Sequence, residues 1–253
     1  RGIGGSTGDP VGATTADLAT DTAAAVEFLA ADGRFDSIGI VGHSEGGIIG
    51  PMVANDSDAV DLVVLLAGPG LPGLDVLLRQ TEDLMRVEGA PEADIAWQIS
   101  WRQEILEVSA SSVPDDEAVE AIRTIVSAAF ENPPAGVAQT ADPSMTEQFV
   151  TAFTDPWMRY FLAYDPAPAL EDLDIPALAL IGSLDMQVSA EENIRALESA
   201  FDANGRATVS ELEGLNHLFQ KAETGAVSEY ARIEETFSPE AIDLITAWIL
   251  KQS

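Results

Sequence analysis

Apolar positions along the chain fall into two kinds of run. Short, nearly continuous ones occur at Ile38-Gly39-Ile40-Val41-Gly42, Asp61 to Gly68 and Ala177 to Gly182, and Thr208 to Leu212 forms a fourth candidate. These runs predict strands, and the nearly continuous apolar character of Asp61 to Gly68 belongs to a parallel sheet covered on both faces. Between them the apolar residues recur at helical spacing. A long helix is predicted from Thr15 through Val26, Phe28 and Leu29, with Asp17 and Asp21 near its positive end. Others are predicted from about Ser44 through Ile48, Ile49 and Met52, from Ala190 to Ala200, and from Pro239 to about Leu250. Ser238 is placed to cap the last, with Glu240 and Asp243 in its first turns. Residues 1 to 14, with Gly2, Gly4, Gly5, Gly8, Pro10 and Gly12, read as a turn-rich loop.

From Leu71 to about Tyr164 the pattern is helical throughout, with segments predicted at Asp75 to Arg86, Glu92 to Val108, Asp115 to Phe130 and Ser144 to Phe161. A helical insertion of this size between two sheet strands predicts a cap over the carboxyl edge of the sheet. The expected organisation is therefore a core of residues 1–70 and 165–253 with a cap of residues 71–164. No internal repeat or low-complexity tract interrupts it.

Composition narrows the function. The 253 residues carry 43 Asp and Glu against 12 Lys and Arg, a formal charge of −31, with 46% apolar content. The apolar share supports a folded core, and so negative a field opposes nucleic acids and anionic membrane surfaces. Only Lys221 and Lys251 among the cations are lysines, so an adaptation to high salt, where screening removes self-repulsion, is expected, with a merely acidic protein from an ordinary environment as the alternative. The absence of cysteine excludes disulfides, thiolate metal sites and thiol catalysis. The apolar runs are too short to cross a bilayer, and no signal-like segment stands at Arg1, which leaves cytoplasm and secretion open.

The strongest chemical signal is Gly42-His43-Ser44-Glu45-Gly46-Gly47, set after a predicted strand and before a predicted helix. In that context Gly-x-Ser-x-Gly forms a nucleophile elbow. Gly42 and Gly46 lack Cβ atoms, which lets strand and helix approach and puts Ser44 in a strained turn. The amide of Glu45 would face a developing oxyanion. A serine needs a base, and there are two histidines. His43 leaves the elbow in another direction and suits a structural or pocket-lining role. His217, just beyond a predicted strand in Gly214-Leu215-Asn216-His217-Leu218-Phe219, is the candidate base. Its acidic orienter is Asp185, which ends Ile181-Gly182-Ser183-Leu184-Asp185; Asp165 and Asp174 fall before that strand and are weaker candidates. The order Ser44, Asp185, His217 is the hydrolase order of nucleophile, acid and base. Asp56, Asp58 and Asp61 read as a solvated turn rather than a metal site.

With these residues the chain resembles the α/β-hydrolase superfamily, and more narrowly bacterial serine esterases related to dipeptidyl-peptidase-type hydrolases that carry Gly-His-Ser-Glu-Gly-Gly at the elbow. The likeness extends over Arg1 to Gly8, Gly42 to Gly47, Leu66 to Gly70, Ile181 to Asp185, Gly214 to Phe219 and Glu234 to Pro239. It implies an α/β fold, mostly parallel, with a helical cap, and hydrolysis of small carboxylic esters through an acyl-serine, with neither metal nor organic cofactor. It also implies eight strands where four are visible. The expectation follows that the front of the fold, with the second oxyanion amide, lies before Arg1, and that the strand at Ile38 to Gly42 exposes an apolar edge to that segment or to a homo-oligomer partner.

The expected function is thus a carboxylic-ester hydrolase for small or medium acyl groups, with Trp157, Arg159, Tyr160 and Phe161 of the cap as candidate pocket residues beside His43. Trp97 and Trp101 are further candidates for the wall, a simple helical packing core explains most of these five cap aromatics equally well, and for Arg159 pairing within so acidic a chain is the safer expectation than meeting an anionic substrate group. A serine peptidase or other acyl hydrolase on the same residues is the enzymatic alternative, and a noncatalytic interaction fragment the other.

Overall fold

Strand β2 (Leu62–Leu66) is buried at every position, and its side chains alternate between two cores. Val63 and Leu65 face one layer of helices, whereas Leu62, Val64 and Leu66 face the other. A strand with two covered faces has no use for polar side chains, which is why this segment is continuously apolar. The computed structural model describes residues 1–131, 133, 134, 137 and 142–252. Within them β1 (Gly39–His43), β2, β3 (Ala177–Gly182) and β4 (Ala207–Leu212) form one parallel sheet in the order β1-β2-β3-β4. β1 is an edge strand and Val41 on it is 53% exposed.

Helices α1 (Thr15–Asp32), α2 (Gly46–Asp56) and, later in the chain, α9 (Ala190–Ala200) cover one face through Ala19, Val26, Ile49, Val53 and Leu197. The last helix, α11 (Pro239–Ile249), covers the other with Ala241, Leu244, Ile245 and Trp248. Thr14 caps α1 with Asp17 in a reciprocal capping box, so the helix begins at Thr15. Ser238 stands at the N-cap position of α11, but its hydroxyl makes no capping bond and is buried without a partner; the segment is anchored by the Ser238 amide on the Phe219 carbonyl, at 2.7 Å.

Between β2 and β3 lie α3 (Gly73–Val87), α4 (Glu92–Ala110), α5 (Asp115–Glu131), α6 (Thr146–Phe153), α7 (Pro156–Ala163) and the short α8 (Ala167–Glu171). They build a second core from Trp101, Ile105, Ile122, Val126, Phe153 and Phe161, joined to the sheet unit by Ile48 of α2. The helix expected at Ser144 to Phe161 is instead a 3-10 turn at Pro143–Met145 followed by α6 and α7. Pro156 cannot donate in a helix interior, and Asp155 caps the new start by accepting from the Trp157 amide. No described helix is long and apolar enough to cross a membrane.

Candidate active site

The turn leaving β1 holds Ser44 at φ 55°, in the left-handed region that costs a side-chain-bearing residue about 1–2 kcal/mol. The turn is over-determined. The Ser44 amide donates to the Leu66 carbonyl at 2.8 Å, and a Cβ on Gly42 would stand 1.9 Å from the Gly46 carbonyl oxygen. Gly46 itself has open space around it; the second close approach is made by Gly47, whose Cβ would lie 2.5 Å from the Gly68 backbone. Consequently α2 starts at Gly46 rather than at Ser44, and the strained serine stands outside it, lining a cavity. The Glu45 amide donates to no described residue, so it is free at the positive end of α2.

Asp185 sits in the turn after β3 and His217 in the loop after β4, 3% and 5% exposed. Asp185 Oδ1 accepts from the Gln187 and Val188 amides, both at 2.8 Å, and Oδ2 lies 2.9 Å from His217 Nδ1. A carboxylate can only accept, so Nδ1 carries the proton and Nε2 is left as the basic nitrogen of the neutral ring. The buried Asn216 shapes this loop. Its Oδ1 accepts from the Leu218 and Gln220 amides and its Nδ2 donates to Gln220 Oε1, while Phe219 is held at φ 57°. The Ser183 hydroxyl ties the two loops together by accepting from the Gly214 amide at 2.8 Å.

His43 is not aligned for proton transfer from Ser44. Its Nε2 donates to the His217 carbonyl at 2.8 Å, and the two rings stand 4.7 Å apart at 52°. Desolvation chiefly lowers the pKa of His43, against the opposing effect of its hydrogen bond to the His217 carbonyl. His43 thus buttresses the loop of His217. Among the described residues neither the Ser44 hydroxyl nor His217 Nε2 has a hydrogen-bond partner.

Ser44 opens into a cavity of about 430 Å³ lined by His43, Glu45, Pro69, Val76, Trp157 and Phe161 among others. Trp157 and Phe161 stack at 5.5 Å. Two of the pocket residues expected from sequence lie elsewhere. Arg159 turns away to the Ser111 and Val113 carbonyls, at 3.1 and 2.7 Å, and to Asp115, because the α4–α5 connection offers it partly buried acceptors and an exposed carboxylate. Tyr160 stacks on Tyr164 and does not line the cavity. Leu77, Gln80, Gln187 and Val188 do line it, and nothing in their local sequence pattern marks them. Gln80 and Gln187 face each other at 3.3 Å, and Gln187 reaches the Tyr230 hydroxyl at 3.2 Å.

The Glu45 side chain links three elements. Its Oε1 accepts from Thr15 Oγ1 on α1 and from Trp157 Nε1 on α7, both at 2.7 Å. A charged acceptor makes such bonds worth about 1.5–3 kcal/mol. Glu45→Ala is therefore expected to lower stability by about 2 kcal/mol and to release Trp157 from the cavity wall, whereas Glu45→Gln, which keeps an acceptor, loses less. Denaturant unfolding and the emission of the tryptophans check both; equal losses in the two variants would contradict the bridge.

Glu229, in α10 (Val227–Tyr230), holds the segment that presents Tyr230. Hydrogen bonds from the Glu223 amide first, then from the Thr224 hydroxyl and the Thr224 and Gly225 amides, pull its pKa from 4.5 down to about 2 against the opposing effect of burial. A carboxyl whose folded pKa is depressed stabilises the fold fully above its unfolded value, and that contribution is lost as pH falls through the folded one. Amide exchange at residues 223–225 should rise as pH drops from about 4.5 toward 2 relative to a peptide reference, and Glu229→Gln should remove that dependence. An unchanged pH dependence in the variant would contradict it.

Comparison with known proteins places this geometry in a wider group. Residues 1–229 match a family model described as "Alpha/beta hydrolase family". No curated protein matches the sequence significantly. Among solved structures, E-2-(acetamidomethylene)succinate hydrolase is 21% identical, covering 98% of this chain and 78% of its own, with a TM-score of 0.50. A thermophilic esterase from Thermogutta terrifontis is 19% identical over 100% of this chain and 78% of its own, with a TM-score of 0.48. An esterase from Rhodococcus sp. ECU1013 is 20% identical, covering 98% and 78%, with a TM-score of 0.43.

Proposed function

The chain belongs to the alpha/beta hydrolase family, and from that premise we propose that it hydrolyses carboxylic esters with small or medium acyl groups through an acyl-serine intermediate. The observation that carries the reading is the His217–Asp185 pair. With Nδ1 committed to a buried carboxylate, the free basic nitrogen of the ring belongs to the loop that His43 fastens beside the Ser44 elbow.

In the proposed cycle His217 Nε2 takes the Ser44 proton as Oγ attacks the ester carbonyl. The Glu45 amide donates to the oxyanion, a contribution of about 3 kcal/mol for such a donor. Asp185 stabilises the imidazolium that forms and keeps its tautomer. The imidazolium then protonates the departing alcohol, and the same nitrogen activates the water that releases the acid. The residues require no metal or organic cofactor for these steps. A cavity of about 430 Å³ with Trp157, Phe161, Val76 and Leu77 on its walls suits a short or medium acyl chain.

The closest alternative is a peptidase or other acyl hydrolase using the same residues. Hydrolysis of methyl hexanoate set against N-methylhexanamide separates them, since the acyl group is the same. Ester cleavage with negligible amide cleavage is expected; cleavage of the amide with the ester untouched would overturn the ester reading.

A further inference from the structure

The fate of the cations in so acidic a chain is informative. Eight of the twelve make an ion pair with a carboxylate. Of the remaining four, Arg206, Arg232 and Lys251 are exposed. Arg102 on α4 is different. It is partly buried, every Asp and Glu of the chain is among the described residues, and none of them pairs with it. Its Nε donates to Gln98 Oε1 at 3.1 Å, and its guanidinium lies 4.9 Å from the Trp101 ring centroid and 5.4 Å from that of Phe149. The rings hold the charge in place without neutralising it. Leaving a desolvated cation unpaired is costly, and in a chain with 43 carboxylates a partner was easily supplied.

Arg102 also lines a cavity of about 270 Å³ whose other walls are mostly apolar, Leu84, Leu106 and Phe153 among them. Leu77 and Gln80 line both this cavity and the one that holds Ser44, so the two adjoin across that pair. A mostly apolar cavity with a planar, charged donor among its lining residues, adjoining the cavity at Ser44, matches an aliphatic chain that ends in a carboxylate.

We propose that Arg102 and its cavity form an anion subsite, and that the substrates are esters bearing a carboxylate several bonds away from the scissile carbonyl. This rests on the ester-hydrolase reading for the chemistry at Ser44, though not for the binding of the carboxylate. The net charge of −31 repels anions at long range, and the subsite supplies a local reason for one to remain. The carboxylate belongs to the acyl half or to the alcohol half of the ester, and the two sources are separable.

The test compares the parent protein with Arg102→Met, which keeps the aliphatic stem, and Arg102→Lys, which keeps the charge. Kinetics are measured on monomethyl adipate and monomethyl suberate against methyl hexanoate and methyl octanoate for the acyl arm, and on 6-acetoxyhexanoate against hexyl acetate for the alcohol arm. In one arm, Arg102→Met should raise the ratio of KM for the charged ester to KM for its neutral counterpart roughly ten- to hundredfold, the span of a charge-assisted hydrogen bond, with Arg102→Lys restoring part of it. A rise that is the same for charged and neutral esters in both arms would overturn the subsite.

Binding of adipate, followed by calorimetry, gives a readout that needs no turnover. Adipate bound by the parent and lost in Arg102→Met, with no ester hydrolysed, would support the subsite and sink the ester reading. Neutral esters hydrolysed with no adipate bound would sink the subsite and leave the ester reading intact.

Discussion

Replacing Ser44 by alanine is expected to lower kcat/KM for a simple ester such as methyl hexanoate by about 10⁵-fold, the scale on which a triad nucleophile fails. The loss should fall on kcat. Ser44 carries the bond that forms, so its removal takes away the acyl-enzyme and not merely a contact. The cavity walls and the Glu45 amide remain, and KM should therefore move little. The fold should tolerate the change, because Ser44 is held by its backbone, through Leu66 and Gly47, and its side chain bonds to no described residue. A folded Ser44→Ala protein with ester hydrolysis within tenfold of the parent would eliminate the proposed mechanism.

The second large effect is expected at Asp185. Asparagine is isosteric, yet two backbone amides already donate to Oδ1, from Gln187 and Val188. The Asn carbonyl oxygen would have to stay on those amides, which turns its NH₂ toward His217 Nδ1. A donor facing Nδ1 forces the proton onto Nε2, the nitrogen that must be free to take a proton from Ser44. The buried negative charge that stabilises the imidazolium disappears as well. Together these should cost about 10⁴ in kcat at neutral pH with KM nearly unchanged. Steady-state kinetics on Asp185→Asn, with circular dichroism to verify folding, measure it; a loss below about tenfold would remove Asp185 from the role of orienter.

The parts of the molecule that are legible in the sequence are those set by local pattern. Three nearly continuous apolar runs and the mixed segment at Thr208 to Leu212 become four parallel strands with ends shifted by at most two residues; β2 and β3, buried at every position, announce themselves by the absence of polar positions, whereas β1 and β4 are only partly covered. Ser44, Asp185 and His217 each follow a strand, so strand order alone brings them to the same sheet edge. The contacts that complete the site are not of this kind. Glu45 meets Trp157 across 112 positions, and Gln80 meets Gln187 across 107. No periodicity encodes a pairing between separate elements.

The cap is where pattern misleads. Trp157, Arg159, Tyr160 and Phe161 lie within one and a half turns of a helix, so they cannot all face one cavity. Trp157 and Phe161, four apart, share the cavity face, while Arg159 and Tyr160 point elsewhere, which the spacing itself could have shown. Arg102 carries the opposite lesson. Its charge is visible in the sequence, but its lack of a carboxylate partner is a property of the whole fold. Likewise Pro156 is a visible breaker inside the segment read as one helix, and the apolar spacing on either side conceals it.

The central claim is that Ser44 is an activated nucleophile. Intact-mass measurement after reaction with a fluorophosphonate, on the parent and on Ser44→Ala at low and high NaCl, tests it most directly. The account predicts a single phosphonyl adduct on the parent, mapped to Ser44, and none on the variant. A folded parent that takes up no adduct at either salt, or a Ser44→Ala protein that is labelled as fast as the parent, would contradict it.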